Sequence, residues 1–74
     1  MPEKIESCIE FGLKIRRLRK MKGFSQESFA DHAEIHRTYM GGIERGERNP
    51  TLITIHRLAD ALDVEPWELL KSDE

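Results

Sequence analysis

The chain has 74 residues, a formal net charge of −2 and one cysteine, which allows one small domain with a single core. It contains no apolar run of about 18 residues, and the stretch from Met1 to Glu10 lacks a basic segment followed by an apolar one. We therefore expect a soluble, cytoplasmic protein without a membrane segment. Because a lone cysteine cannot form an internal disulfide, Cys8 is interpreted as a small buried apolar residue in a reducing compartment.

Hydrophobic periodicity predicts five helices and no strands, and therefore an all-α fold in one domain covering residues 1–74. The first helix runs from about Ile5 to Lys22, with Gly23 as its C-terminal glycine. Its apolar residues recur at intervals of three or four: Cys8, Phe11, Ile15 and Leu18.

The second predicted helix, from about Gln26 to His32, begins after Ser25, whose hydroxyl can accept a backbone N–H. Three residues after this cap stands Ser28 rather than Glu or Gln, so we expect only half of a capping box. The small Ala30 permits a close crossing of two helices. The residues expected to face the core are Phe29, Ala30 and Ala33.

The third predicted helix, from about Arg37 to Arg45, contains the adjacent glycines Gly41 and Gly42. Each glycine destabilises a helix interior by about 1 kcal/mol relative to alanine. The pair is therefore best explained by a bare backbone surface that lies close to another molecule. A kinked or weakened helix is the alternative.

The last two predicted helices complete the core. The fourth begins after Pro50, with Thr51 as its cap, and ends near Leu62. It presents one apolar side, made by Leu52, Ile55, Leu58, Ala59 and Leu62. The fifth is short, from Pro66 to about Lys71, with proline in its first turn.

Charge is unevenly distributed along the chain. The segment from Gly12 to Gly23 contains six cations and no acid: Lys14, Arg16, Arg17, Arg19, Lys20 and Lys22. The segment after Arg57 carries six acids against Lys71 alone: Asp60, Asp63, Glu65, Glu68, Asp73 and Glu74. We therefore expect a bipolar molecule whose basic end can contact an anionic partner, although an ordinary solvated helix face explains the first segment equally well.

Several elements between Phe24 and Pro50 stand at fixed spacing: Gln26, Ala30, Ile35, Ile43-Glu44-Arg45-Gly46 and Asn49-Pro50. In this order they resemble the helix-turn-helix of Xre/Cro-type transcriptional regulators. The helix-turn-helix itself covers about residues 25–46, and the likeness extends over about 11–70. Several elements at fixed distances are a specific signal. The start of the third helix, Arg37-Thr38-Tyr39, and the small size are most similar to controller proteins of restriction–modification systems.

The resemblance implies a five-helix Cro/repressor-like DNA-binding domain whose third helix enters the major groove. Its first residues then face the bases, and a guanidinium fits guanine O6 and N7, which makes Arg37 and Thr38 candidate base contacts. Tyr39 could contact a thymine methyl or a sugar, or turn inward to the core. On this interpretation the glycine pair permits close approach to the DNA groove.

Contacts to the DNA backbone come from groups that donate without reading sequence. The candidates are Gln26, Arg45, Arg48 and Asn49. Two positions depart from the family. Gly42 stands where a polar base reader is usual, so DNA shape should supply part of the specificity. His36 occupies the cap position of the third helix, and because neutral imidazole caps poorly, we expect a loose helix start.

The resemblance also implies a structural ion pair between Arg19 and Glu44 beneath the third helix. Breaking such a pair from one side costs about 3 to 5 kcal/mol if it is buried and under about 1 if it is exposed. We expect its role to be orientation of the helix and not contact with DNA.

Three apolar residues, Ile53, Trp67 and Leu70, exceed what so small a core needs, and we assign part of them to a two-fold dimer contact. For Trp67 alone, capping of the monomer core is equally compatible with the sequence. A dimer would place two recognition helices about 34 Å apart on a palindromic operator.

No cofactor, metal or small-molecule effector is expected. The sequence His32-Ala33-Glu34-Ile35-His36 does not have the residue order of a zinc-protease motif. Two histidines four apart chelate a metal only along one continuous helix, and a turn is predicted between these two. No catalytic set is recognisable, so we expect no enzyme.

The predicted function is sequence-specific binding of double-stranded DNA by a dimeric regulator, either a controller protein or a small repressor. The alternative is an antitoxin-like protein-binding module with secondary DNA binding, which the net acidity favours slightly.

Overall fold

The structure, a computed structural model, describes residues 5–71, and within this range it contains five helices and no strand. They are α1 (Glu6–Met21), α2 (Gln26–Ala33), α3 (Arg37–Glu44), α4 (Leu52–Leu62) and α5 (Pro66–Leu70). The predicted all-α class is confirmed, and the predicted helix ends lie within one residue of the observed ones. Within residues 5–71, no helix combines the length and the apolar character needed to cross a membrane.

Hydroxyl caps begin two of the helices. At α2, Ser25 Oγ accepts the Ser28 N–H at 3.0 Å, and Ser28 Oγ accepts the Ser25 N–H at 3.0 Å. The prediction of half a capping box was therefore wrong, because a serine hydroxyl reaches the cap N–H as a longer glutamate or glutamine would. At α4, Thr51 Oγ1 accepts the Thr54 N–H at 3.2 Å, as predicted.

One hydrophobic core joins all five helices. Its largest fully buried side chains are Phe29, Ile15, Met40, Ile43, Leu58 and Leu62. Two residues predicted for the core lie at its edge, since Cys8 is half-buried and Leu52 is exposed. Both stand in the first turn of their helix, so the apolar spacing includes them although the core does not. Leu69, which was not among the predicted core residues, is the buried residue of α5.

Two glycines allow α1 to pack against the end of α3. A Cβ at Gly12 would overlap the Ile43 carbonyl oxygen and lie 2.8 Å from that of Glu44. Gly46 follows α3 with a φ of +75°, and a Cβ there would lie 2.8 Å from Ile9 Cγ1. Larger residues at these positions would push α1 away from α3, so the two glycines fix how closely these helices approach.

The basic and acidic segments are in contact, so the predicted bipolar arrangement was wrong. Lys14 is buried, and its Nζ donates to the carbonyl oxygens of Glu68 at 3.0 Å and Lys71 at 2.7 Å. Lys22 forms an exposed ion pair with Asp63 at 3.0 Å. The order of charges along the chain did not show that α1 packs against α4 and α5. Among the cations of α1, Arg16, Arg17 and Lys20 are exposed.

Candidate nucleic-acid interface

The helix α3 has a buried side and an outer side. Met40 and Ile43 face the core and are 0% and 1% exposed. Helical periodicity places a second set of residues on the opposite side. This set, which we call the outer stripe, consists of Arg37, Thr38, Gly41, Gly42 and Arg45.

The start of α3 is capped by a histidine side chain. His36 Nδ1 accepts the Thr38 N–H at 3.2 Å, which requires the unprotonated ring nitrogen. The expectation that His36 caps poorly was therefore wrong, because the ring reaches this N–H although imidazole is an unusual cap. Thr38 is exposed, whereas Tyr39 is half-buried and packs partly against the core.

Arg37, the predicted base reader, is held by two carboxylates of α2. Its Nε and Nη2 donate to Asp31 at 3.3 and 2.9 Å, and its Nη1 donates to Glu27 at 3.0 Å. The hydrogen bond from Arg37, aided by its positive charge, lowers the pKa of Asp31, and the same bond raises the pKa of Arg37. All three side chains are exposed, so a DNA base can reach Arg37 only in competition with these acids.

A buried polar network lies beneath α3. Arg19 binds Glu44 through Nε at 2.7 Å and through Nη2 at 3.0 Å, and its Nη1 donates to the Phe24 carbonyl oxygen at 2.8 Å. Gln26 Nε2 donates to Glu44 Oε1 at 3.1 Å. The network connects α1, the start of α2 and the end of α3, so it fixes the orientation of α3. Gln26, a predicted phosphate contact, uses one amide N–H here and keeps the second.

A tight turn follows α3 and folds the next residues back over the helix. The N–H groups of Gly46 and Glu47 donate to the carbonyl oxygens of Ile43 at 3.0 Å and Gly42 at 2.9 Å. This is the bonding pattern of a glycine-terminated helix end. Arg45 Nε also binds Glu47 Oε1 at 3.0 Å. Asn49, the last of the predicted backbone contacts, is exposed.

The glycine pair does not present a bare backbone in this structure, so the prediction of a bare helix surface at Gly41 and Gly42 was wrong. Both glycines are buried, with the side chains of Arg45 and Arg48 beside them. The adjacent glycines thus accommodate arginines of the same chain. In the sequence, this contact is signalled only weakly, by Arg45 and Arg48 standing a few residues after Gly41 and Gly42. The signal is weak because the arginines reach the glycines only through the turn that follows α3.

Four large apolar side chains on α4 and α5 are exposed. The predicted interface residues Ile53, Trp67 and Leu70 are exposed, as is Leu52. Trp67 is 60% exposed, which excludes the alternative that it caps the monomer core. The Lys71 ammonium lies 5.2 Å from the centre of the Trp67 ring.

The histidine pair has structural partners. His32 stacks on Phe24 with ring centres 5.0 Å apart, and His36 caps α3. Glu34, which lies between them, takes a left-handed conformation with a φ of +59° and ends α2. In residues 5–71 there is no cluster of three or more His, Cys, Asp or Glu that could hold a metal ion.

Comparison with known proteins identifies the family. The model of the HTH_3 helix-turn-helix family matches residues 15–69. The control protein C.BamHI of Bacillus amyloliquefaciens is 46% identical over 61 residues, which cover 81% of this chain and 75% of that protein.

Solved structures agree in fold. The restriction–modification controller protein C.AhdI of Aeromonas hydrophila has a TM-score of 0.84 at 48% identity, covering 88% of this chain and 98% of that chain. SinR, the master regulator for biofilm formation, was solved in complex with DNA and has a TM-score of 0.79 at 32% identity. That match covers 82% of this chain and 98% of the chain in that structure. The chain therefore belongs to the HTH_3 helix-turn-helix family.

Proposed function

We propose that the chain is a transcriptional regulator that binds double-stranded DNA sequence-specifically by inserting α3 into the major groove. The observation that carries this proposal is the outer stripe of α3, which begins with Arg37 and Thr38 and ends with Arg45, and against which Arg48 lies at Gly42. The relatives named control proteins and the neighbour solved with DNA support the same function.

Base recognition is assigned to the start of α3. Arg37 exchanges the Asp31 and Glu27 carboxylates for the O6 and N7 acceptors of guanine. This exchange favours guanine because other base edges do not offer both acceptors to one guanidinium. Thr38 is exposed beside it and can donate to a base edge, and the half-buried Tyr39 is a third candidate.

Backbone contacts are assigned to donors around α3. Arg45, Arg48 and Asn49 lie at its end and in the following loop, and Gln26 opens α2, where helix N–H groups also favour a phosphate. Such contacts position the protein on every duplex alike. They should make binding depend strongly on salt despite the net charge of −2.

The proposed DNA-binding form is a homodimer. Four apolar side chains on α4 and α5 are exposed, and we propose that a second copy covers them. They are Leu52, Ile53, Trp67 and Leu70. A two-fold dimer presents two α3 helices about 34 Å apart, which matches successive major grooves and a palindromic operator.

The proposed biology is that of a non-catalytic controller protein or small repressor in the cytoplasm, acting by occupying a promoter. No cofactor and no small-molecule effector are part of this proposal.

The experiment is selection of bound duplexes from a random pool, with sedimentation to measure the oligomeric state. We expect a dimer and an enriched palindrome with half-sites one helical turn apart, about 10 base pairs from centre to centre. Failure to enrich any sequence, even at low salt, would refute the proposed function. Enrichment of a single unpaired half-site by a monomer would refute only the dimer.

A further inference from the structure

The glycine pair of α3 lies under two arginine side chains. A Cβ added at Gly42 would lie 2.6 Å from Cγ, 3.1 Å from Nε and 3.4 Å from Cδ of Arg48. A Cβ added at Gly41 would lie 2.9 Å from Nη1 of Arg45 and 3.4 Å from Oε1 of Gln26. Both arginines therefore occupy space that any other residue would fill with its own Cβ.

From this arrangement we infer that Gly42 is a positioning residue. It leaves space for the Arg48 side chain to lie against α3, an arrangement that we call the seat, and so sets where the Arg48 guanidinium group meets the DNA backbone. The inference rests on the proposed function, which assigns a phosphate contact to Arg48. It replaces close approach of bare helix backbone to DNA as the reason for glycine at position 42.

The turn after α3 makes the seat possible. The hydrogen bonds from Gly46 and Glu47 back to Ile43 and Gly42 close the turn and return the chain towards the outer stripe. Arg48 follows this turn directly, so its side chain extends along the helix surface at Gly42. An arginine already held in this way loses less rotamer freedom when it binds a phosphate.

Gly41 and Gly42 differ in how strictly the neighbouring arginine requires glycine. At Gly42 the added Cβ would meet Cγ of Arg48, which is close to the backbone and cannot move without moving the whole side chain. At Gly41 the added Cβ would meet the tip of Arg45, which can swing aside. Gly42 should therefore matter more than Gly41, which makes Gly41→Ala a matched control.

A stability measurement distinguishes a role of Gly42 in positioning Arg48 from a role of Gly42 in folding alone. Alanine is a better helix former than glycine by about 1 kcal/mol. Gly42→Ala should therefore melt at or above the parent temperature while it binds DNA more weakly. A structural role for the glycine would lower stability and binding together.

The experiment is a double-mutant cycle on Gly42→Ala and Arg48→Ala, with Gly41→Ala as the control. Affinity for a mixed-sequence duplex is measured by fluorescence anisotropy at several KCl concentrations, because a phosphate contact acts on every sequence. We expect Gly42→Ala and Arg48→Ala each to lose about tenfold in affinity and to reduce the salt slope by about 0.9. The double variant should lose no more than Arg48→Ala alone, and Gly41→Ala should lose under about threefold.

Two outcomes would overturn the inference. Parent-like binding by Gly42→Ala would show that the seat does not position Arg48. An undiminished loss from Gly42→Ala in the Arg48→Ala background would show that the added methyl meets the DNA itself. The double variant lacks the overlap between the new Cβ and Arg48, so it remains interpretable even if Gly42→Ala folds poorly.

A measurement without DNA distinguishes failure of the seat from failure of the proposed function. If the parent binds no duplex at low salt, the proposed function fails. The seat is then tested by ¹⁵N relaxation of Arg48 Nε, which should report greater mobility in Gly42→Ala than in the parent. Equal mobility in the two proteins would refute the seat.

Discussion

Two of the arginine–carboxylate sites beside α3, Arg19 with Glu44 and Arg37 with Asp31 and Glu27, differ in solvent access far more than in geometry. Arg19 and Glu44 are joined at 2.7 Å with side chains 8% and 3% exposed. Arg37 meets Asp31 at 2.9 Å and Glu27 at 3.0 Å, with side chains 57%, 61% and 72% exposed respectively. The same pairing chemistry therefore fixes a helix where water is excluded, and it leaves Arg37 open to exchange of its partners where water has access.

The buried site is fully partnered. The Arg19 guanidinium also donates to the Phe24 carbonyl oxygen, and Glu44 accepts an additional bond from Gln26. Within residues 5–71, no buried side-chain nitrogen or oxygen lacks a hydrogen-bond partner. Removing one member would leave the other buried and uncompensated, so this site resists exchange.

The largest effect is expected from Glu44→Ala. It leaves the Arg19 charge buried without its carboxylate, which should lower the free energy of unfolding by about 3 to 5 kcal/mol. Thermal and urea unfolding measure this loss, with the exposed Glu47→Ala as a control expected to change stability little. An unfolding curve for Glu44→Ala that matches the parent would remove the distinction between the two sites.

The next effect concerns binding and not folding. Arg37→Ala should leave the melting temperature nearly unchanged, because its ion pairs are exposed. It should weaken binding to the selected operator by about tenfold or more and spare binding to a scrambled duplex. Equal losses on both duplexes would assign Arg37 to the phosphate backbone.

A smaller effect should follow when the acids that hold Arg37 are neutralised. Asp31→Asn combined with Glu27→Gln frees the guanidinium and removes two negative charges near the DNA. Binding to scrambled DNA should tighten by up to about fivefold, and the ratio of operator to scrambled affinity should fall. Asp60→Asn, an exposed acid on α4, is the control. An unchanged ratio would show that the acids do not tune recognition by Arg37.

The smallest effect is a dependence of stability on pH. Arg37 holds the pKa of Asp31 below its ordinary value of 3.8, so the stabilisation is present above that value and is lost as pH falls through the folded-state pKa. The stability difference between the parent and Asp31→Asn should therefore be constant from neutral pH to about 5 and should shrink below about 4. If the stability difference instead shrank between pH 7 and 5, a group other than Asp31 would be responsible for it.

The fold was largely predictable because helix signals are local. Ser25, Thr51 and Gly23 mark helix ends through their own chemistry, and apolar spacing locates Phe29, Ile15 and Leu58 in the core. The arrangement of charges in space was not predictable, because Lys14 and Lys22 find their partners on α5 and just after α4. Those contacts arise from packing between helices distant in the chain, which charge order does not encode.

The candidate site was predictable in outline and not in detail. The resemblance pointed to the start of α3 and anticipated that Arg19 and Glu44 lie together. It did not show that Asp31 and Glu27 hold Arg37, because residues on two helices meet only after the turn at Glu34 is formed. The function of the glycine pair was likewise hidden, since Arg48 returns to Gly42 only through the turn at Gly46.

The most direct test of DNA reading by α3 is to repeat the pool selection with Arg37→Ala and with Arg48→Ala. Arg37→Ala should enrich the parent palindrome with preference lost at one symmetry-related pair of positions. Arg48→Ala should enrich the parent palindrome unchanged, with weaker binding overall. If Arg37→Ala instead retained every base preference of the parent, the assignment of sequence reading to the start of α3 would be contradicted.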